Sequence, residues 1–364
     1  MSSQKASTPR SKFLSSLPEE VLARVFARKS ELEGPLGEWA ARHPQLMRAV
    51  RVPQLSLTLV AAAPFLGVRE LMPGACLSMW LFAVDDLLDE GALTAEQSRE
   101  VWATLEQGPS LLRSGSEPGA DKPLLTALWD IRRQLEQLPE GSFPTSLRES
   151  LAGSLESSLR GMRFEHEWNV ARPLPSLSRY FDESLHSVGV LPVYMCMLAA
   201  MRAAEPPSRL PQLLVQGRRA ALKIRLANDL RTYERELSEG KLNAIRILQH
   251  DILQEEKLEE AEALEEARLT LKAWLALGMP PQAGAELPER VSSRAKRWLD
   301  RLPKDFVEGE GAAVAAPASA GNSRPEHYAT NLTAFVCDYY AHHDYHHPLN
   351  ETGWNDIDAR TPRS

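Results

Sequence analysis

Three cysteines in 364 residues leave little to build with sulfur. Cys76, Cys196 and Cys337 lie far apart in apolar or aromatic settings. They read as reduced core residues, with no disulfide framework and no metal spacing. β-Branched residues are few and strand-like alternation is scarce, which argues against a sheet. Positive charge is not in excess either. The formal net charge is −7, which argues against a nucleic-acid partner, because phosphate backbones attract basic faces. No run reaches the length of a transmembrane helix. No apolar core of a signal peptide precedes Pro18, so neither a membrane span nor secretion is expected and the default location is the cytoplasm.

What is present is helix-forming sequence. Long Leu/Ala/Glu/Arg segments dominate, and hydrophobic residues at 43% allow a substantial core. The pattern predicts a nearly all-α chain, with helices over 70–90, 94–107, 122–138, 145–170, 176–186, 187–203, 208–239, 242–276, 287–302 and 326–344. Residues 1–16, rich in Ser, Lys and Thr, read as a disordered tail. Residues 308–324 read as a mobile small-residue linker, an insertion within one domain covering 17–347, and 348–364 as a C-terminal tail. The charged stretch 255–268 reads as a solvated helix face.

The chain is organised around residues 76–91, which begin as an apolar helix and end in Asp85, Asp86, Asp89, Glu90 and the helix stop Gly91. Asp85 and Asp89 share one face. An acidic cluster at a helix end is ordinarily solvated surface. Here the preceding segment, Trp80 to Val84, is apolar all round, so the helix is expected to be buried. Carboxylates crowded at the negative end of a helix dipole become reasonable when a cation sits among them. Oxygen ligands of this kind suit a hard divalent ion such as Mg2+. A second cluster supplies more oxygens. Asn228, Thr232 and Glu236 are spaced i, i+4, i+8, so one helix presents an amide, a hydroxyl and a carboxylate in a line.

Together the two clusters resemble the class I terpene synthases. Asp85-Asp86-Leu87-Leu88-Asp89 is similar to their aspartate-rich motif, and Asn228, Thr232 and Glu236 fit the second metal motif, N-D-x-x-S/T-x-x-x-E. The resemblance covers roughly residues 50–345 and agrees with bacterial single-domain members. It implies a helical bundle around a central cavity, Mg2+ as cofactor (three ions with the diphosphate), and a linear prenyl diphosphate as substrate. The expected metal ligands are Asp85, Asp89, Glu90, Asn228, Thr232 and Glu236, with Asp86 beside them in the catalytic set.

Between the motifs, Arg179-Tyr180-Phe181-Asp182-Glu183-Ser184-Leu185-His186-Ser187-Val188-Gly189 resembles the family's broken helix, whose backbone near the break faces the substrate. Ser184 stands where many members carry an arginine that contacts diphosphate. The C-terminal Arg-Tyr pair of many members is replaced by Cys337-Asp338-Tyr339-Tyr340. Diphosphate contacts are therefore expected from Arg179, Arg225, Arg231, Lys241 and Tyr340, with Arg225 the best basic candidate one turn before Asn228. The substrate pocket is expected to draw on Trp80, Phe82, Phe181, Ser184, Ser187, Val188, Gly189 and Phe335, with Trp168, Tyr194 and Tyr340 as further aromatic candidates. Aromatic faces stabilise cations by roughly 0.5–2 kcal/mol each, and a closed apolar pocket keeps a carbocation from water.

Three activities compete at this point: cyclisation of geranylgeranyl diphosphate or, close behind it, farnesyl diphosphate; chain elongation of a prenyl diphosphate; and binding without catalysis on the same fold. The second motif favours cyclisation, since elongating enzymes normally carry two Asp-rich motifs. The histidines at 342, 343, 346 and 347 flank Asp344 at helical spacing, but no partner with zinc-ligand spacing stands elsewhere, so a polar helix end is the expectation. Helical surfaces of this kind also suit pairing into a homodimer.

Overall fold

The computed structural model describes residues 11–89, 93–119, 121–139, 141–168, 173–201, 207–256, 258–276, 324–343 and 345, and these contain helices and no strand. In chain order the helices are α1 Lys12–Ser16, α2 Glu19–Ala41, α3 Val52–Ala62 (entered through a 3-10 turn at Ala49–Arg51), α4 Val68–Asp89, α5 Ala95–Leu105, α6 Gly108–Ser114 and α7 Pro123–Glu136. Then come α8 Thr145–Glu167, α9 Leu177–Ser187, α10 Val190–Ala200, α11 Leu210–Ser238, α12 Ala244–Glu256, α13 Glu260–Ala276 and α14 Arg324–Tyr340.

Helix α4 is the centre of the bundle. Every residue from Pro73 to Leu81 is buried, because helices α2, α3, α7, α8 and α10 pack around it. A helix without a polar face requires such surroundings. At 22 residues α4 is long and apolar enough to cross a membrane, contrary to the expectation that no run reaches that length, but 78% of its apolar window is buried inside the protein. Its composition is that of a core helix.

On the other side, α14 packs against both α3 and α11, and α8 packs against α9 and α10. The expected helix break is present. Helices α9 and α10 are bent by 44°, and Gly189 between them takes φ +71°, a backbone region that costs glycine least. A Cβ at Gly189 would also stand 3.1 Å from Leu81 Cδ1. The break is thus fixed both by conformation and by the close approach of α4.

Three expectations need correction. Residues 12–16, placed in a disordered tail, form α1; Ser11 Oγ and Phe13 N–H both donate to Asp338 Oδ2, at 2.6 and 3.2 Å, and tie this helix to α14. The single helix expected over 242–276 is two, α12 and α13, which pack on each other and on α11. Folding back buries apolar faces that one long rod would leave uncovered, and it buries Ala263, Glu266 and Ala267 within the stretch read as solvated. A short helix, α6, follows α5 in a stretch between 107 and 122 where no helix was expected. Residues 1–10, the helix expected at 287–302, all of the linker but Arg324, and the tail 348–364 lie outside the described residues.

Candidate active site

A cavity of about 550 Å³ lies between α3, α4, the end of α8, the α9–α10 break, α11 and α14. Its two ends differ chemically. Asp85, Asp89, Glu165, Arg225, Asn228, Arg235, Glu236 and Lys241 make one end polar, while Leu55, Leu59, Leu81, Val190, Val193 and Leu332 are among the apolar residues of the remaining wall.

Helical geometry places the acidic groups. Asp85 and Asp89 reach the cavity one turn apart, whereas Asp86, rotated by about 100°, leaves it. Asp86 faces Arg51, which donates Nη1 to Oδ2 at 2.8 Å and Nη2 to Oδ1 at 2.7 Å, and Arg48 Nε adds a 3.0 Å contact. Arg51 also lies over the Phe82 ring at 4.5 Å. Asp86 therefore anchors α4 to the start of α3 and is not on the cavity wall.

On α11, Asn228 and Glu236 line the cavity and Thr232 does not. The Thr232 hydroxyl donates to the Asn228 carbonyl at 2.8 Å, and it lies beside Glu236 as well. Arg235, two turns after Asn228, joins the wall. Gly240 at φ +72° ends α11 and turns the chain back, so that Lys241 Nζ meets Asp89 Oδ2 at 2.6 Å and Glu239 Oε2 at 2.9 Å. Asn243 is nearly fully buried and holds the far side of Glu236. Its Nδ2 donates to Glu236 Oε2 and to the Asp229 carbonyl, both at 2.9 Å, and its Oδ1 accepts from Ile245 N–H.

Arg225 is the buried counter-charge. It contacts Glu165 Oε1 at 3.1 Å and Asp229 Oδ1 at 2.8 Å, donates to Tyr180 Oη at 2.5 Å and reaches Ser187 Oγ at 3.4 Å. These negative neighbours outweigh burial and hold its pKa well above the ordinary arginine value. The carboxyls are pushed the other way. Burial, reinforced by Asp89, Glu165 and Asp86, raises the Asp85 pKa to about 7 against the pull of Lys241. Burial also raises Glu236 to about 7, with Arg225, Asn243 and Thr232 opposing. Glu165 and Asp229 are raised as well, again chiefly by burial. Unneutralised carboxylates at this end are costly, which is the condition expected of ligands for a cation.

Of the remaining expectations, Phe82, Trp168, Ser187, Val188, Gly189 and Tyr340 line the cavity. Trp80 does not: its Nε1 donates to the Leu124 carbonyl at 2.8 Å, within the core. Phe181 is buried against Tyr180 and Trp274, Phe335 against Phe13 and Tyr339, and Tyr194 against Tyr328. Ser184 is fully buried away from the wall. Arg179 is exposed, stacked over Phe164 and Trp168, and Arg231 is exposed and off the wall. Glu90, Asp344, His346 and His347 lie outside the described residues. Sequence reasoning missed Glu165, Arg235, Thr58, Ser78 and Tyr345. Only Arg235 carried a signal, its two-turn spacing from Asn228.

The donor set suits a hard cation: Asp85, Asp89 and Glu236 offer carboxylate oxygens and Asn228 an amide oxygen. Among the described residues no three His, Cys, Asp or Glu side chains form a ready-made chelate. The candidate ligands instead lie on two helices, α4 and α11, that border one cavity.

The family model for terpene synthase family 2, C-terminal metal binding, matches residues 76–275, more than half of the chain. The chain belongs to this terpene synthase family. Both oxygen-bearing segments and the helix break fall inside the matched stretch. An ent-pimara-9(11),15-diene synthase from Streptomyces sp. (strain KO-3988) is 25% identical over 214 residues, covering 58% of this chain and 70% of that protein. An ent-cassa-12,15-diene synthase from Oryza sativa subsp. indica is 28% identical over 182 residues, 47% of this chain but 21% of that protein. The chain thus spans about a fifth of the length of the rice proteins it matches. Among solved structures, 2-methylisoborneol synthase from Streptomyces coelicolor A3(2), in complex with Mg2+ and geranyl-S-thiolodiphosphate, superposes with a TM-score of 0.53 at 16% identity over 90% of this chain and 93% of that one. Linalool/nerolidol synthase from Streptomyces clavuligerus, in complex with 2-fluorogeranyl diphosphate, gives 0.54 at 15% identity over 86% and 97%. These similarities establish the shared helical terpene synthase fold.

Proposed function

We propose that this terpene synthase ionises a linear prenyl diphosphate, geranylgeranyl diphosphate ahead of farnesyl diphosphate, and cyclises the resulting carbocation in the cytoplasm. The observation that carries the reading is the polarity of the cavity. Oxygen ligands and three basic side chains meet at one end, and the rest of the wall is largely apolar.

Mg2+ bound by Asp85, Asp89, Asn228 and Glu236 would neutralise the charge that develops on the leaving diphosphate. Arg225, Arg235 and Lys241 provide donors at the same end and orient the diphosphate toward it. Lys241, which pairs with Asp89 in this structure, would be freed for a diphosphate oxygen were that carboxylate to hold a metal ion. The apolar wall excludes water from the cation, and Phe82, Tyr340 and Tyr345 bring aromatic side chains to that wall. The spacing of Asn228 and Glu236 on one helix supports cyclisation over elongation.

The test is incubation of purified protein with geranyl, farnesyl and geranylgeranyl diphosphates, with Mg2+ or with chelator, followed by gas chromatography and mass spectrometry of the organic extract. A cyclic hydrocarbon or alcohol formed only with Mg2+ is expected, and it also fixes the chain length used. Consumption of added isopentenyl diphosphate would replace this reading with elongation. No diphosphate release from any substrate would replace it with a binding function.

A further inference from the structure

Thr58 on α3, Ser78 on α4 and Tyr345 just after α14 are hydroxyl-bearing residues of the cavity wall, as is Tyr340 at the end of α14. Ser78 lies seven residues before Asp85, about 10 Å along α4. Thr58 is at a similar depth, because α3 and α4 run in opposite directions. Arg51 at the start of α3 meets Asp86, while a Cβ at Gly74 near the start of α4 would come within 3.5 Å of Leu59 at the other end.

The hydroxyl hydrogens of Thr58, Ser78 and Tyr345 are committed to acceptors within the protein. The Thr58 hydroxyl donates to the Gln54 carbonyl at 2.9 Å. Its oxygen is also 2.8 Å from Tyr345 Oη. Threonine has one hydroxyl hydrogen, so the second bond must run from Tyr345 to Thr58. The Ser78 hydroxyl donates to the Gly74 carbonyl at 2.8 Å. Each of these oxygens has only lone pairs left to offer a ligand. Beside them, the Tyr345 ring stacks on Phe82 with centroids 5.7 Å apart.

We propose that Thr58, Ser78 and Tyr345 form a donor-free oxygen wall that holds positive charge of the reacting prenyl chain in the deep part of the cavity and thereby selects the product. The inference rests on the function proposed above and adds the residues that determine specificity. Oriented dipoles in a water-excluded site act on charge strongly, and they cost no reorganisation when their direction is already fixed. Here backbone carbonyls fix the direction. The same wall cannot donate to a diphosphate, so it also enforces substrate polarity: diphosphate toward Asp85 and Glu236, hydrocarbon toward Thr58. Removing the Thr58 hydroxyl reverses the effect, since Tyr345 then has a free hydrogen to point at the cation.

The experiment compares wild type with Thr58→Val, Thr58→Ser, Ser78→Ala and Tyr345→Phe. Calorimetry with Mg2+ and inorganic diphosphate measures affinity for a prenyl tertiary amine, protonated and so cationic, against its neutral carbon isostere. Product distribution per diphosphate released is read in parallel. Wild type is expected to prefer the cation, Thr58→Val and Tyr345→Phe to lose about fivefold of that preference, and Thr58→Ser to restore it. The dominant product should give way to a mixture in the same variants. An unchanged preference and product pattern in both Thr58→Val and Tyr345→Phe overturns the wall. The amine measurement needs no turnover, so it decides this point even if wild type releases no diphosphate, an outcome that would instead overturn the proposed activity.

Discussion

Asp85 is half-buried with a pKa of about 7, raised by burial and by the carboxylates around it. In the unfolded chain it returns to about 4. The folded protein therefore binds this proton more tightly, and stability falls as pH rises from about 4 to about 7, the loss being complete above that. Asp85→Asn removes the ionisation. It is expected to stabilise the metal-free protein at pH 8 by on the order of 1–2 kcal/mol after allowance for solvent screening, seen as a higher melting temperature, with little gain at pH 4.5, while abolishing Mg2+-dependent turnover. Equal stability of the two proteins at pH 8 would show that Asp85 bears no such strain. This residue was legible because i, i+4 spacing puts Asp85 and Asp89 on one face whatever the helix packs against. Asp86 and Thr232 were not. Their neighbours, Arg51 and the Asn228 carbonyl, are set by packing and by backbone geometry, and nothing in the motif pattern shows which of its residues fall off the cavity wall.

Among the elements, the register of α8 against α9 decides where Glu165 and Ser187 stand. Their close approach depends on Gly161, where a Cβ would meet the Glu183 carbonyl oxygen at 2.6 Å and the Ser187 amide nitrogen at 2.9 Å. Both obstacles are backbone, so relief requires the helices to separate. Gly161→Ala is expected to cost about 1–3 kcal/mol, seen as a lower melting temperature. It should also reduce turnover out of proportion to the stability loss, because separation moves the Glu165–Ser187–Arg225 contacts at the cavity. Wild-type stability in Gly161→Ala would mean the helices slide freely. The break itself was legible from Ser187-Val188-Gly189 and the apolar run after it. Gly161 was not, since a glycine inside a helical pattern carries no record of its neighbour. Nor did α4 disclose which of its apolar side chains meets the cavity. With residues buried on all sides, Trp80 and Phe82 looked equivalent, and only the positions of α3 and α7 send one to the Leu124 carbonyl and the other to the wall.

At the scale of the whole molecule, a chain with net charge −7 gathers Asp85, Asp89, Glu165 and Glu236 around one cavity and sets Arg225, Arg235 and Lys241 among them. The bases are not a simple anion site. Arg225 already faces Glu165 and Asp229, and Lys241 faces Asp89 and Glu239. Diphosphate alone would have to displace those carboxylates, and Mg2+ alone would have to displace the bases and hold its charge with few ligands. On the function proposed above the two would exchange partners together: the carboxylates would hold the metal and the bases the diphosphate. Stabilisation is therefore expected to be cooperative. Mg2+ or inorganic diphosphate added singly should shift the melting temperature little. Both together, at about 100 times their joint half-saturation, should contribute about 2.7 kcal/mol, or roughly 3 °C for a chain of this length, and chelator should reverse it. A shift with diphosphate alone as large as with the pair would mean that the basic groups bind anions unaided and that the carboxylates of α4 and α11 are not metal ligands.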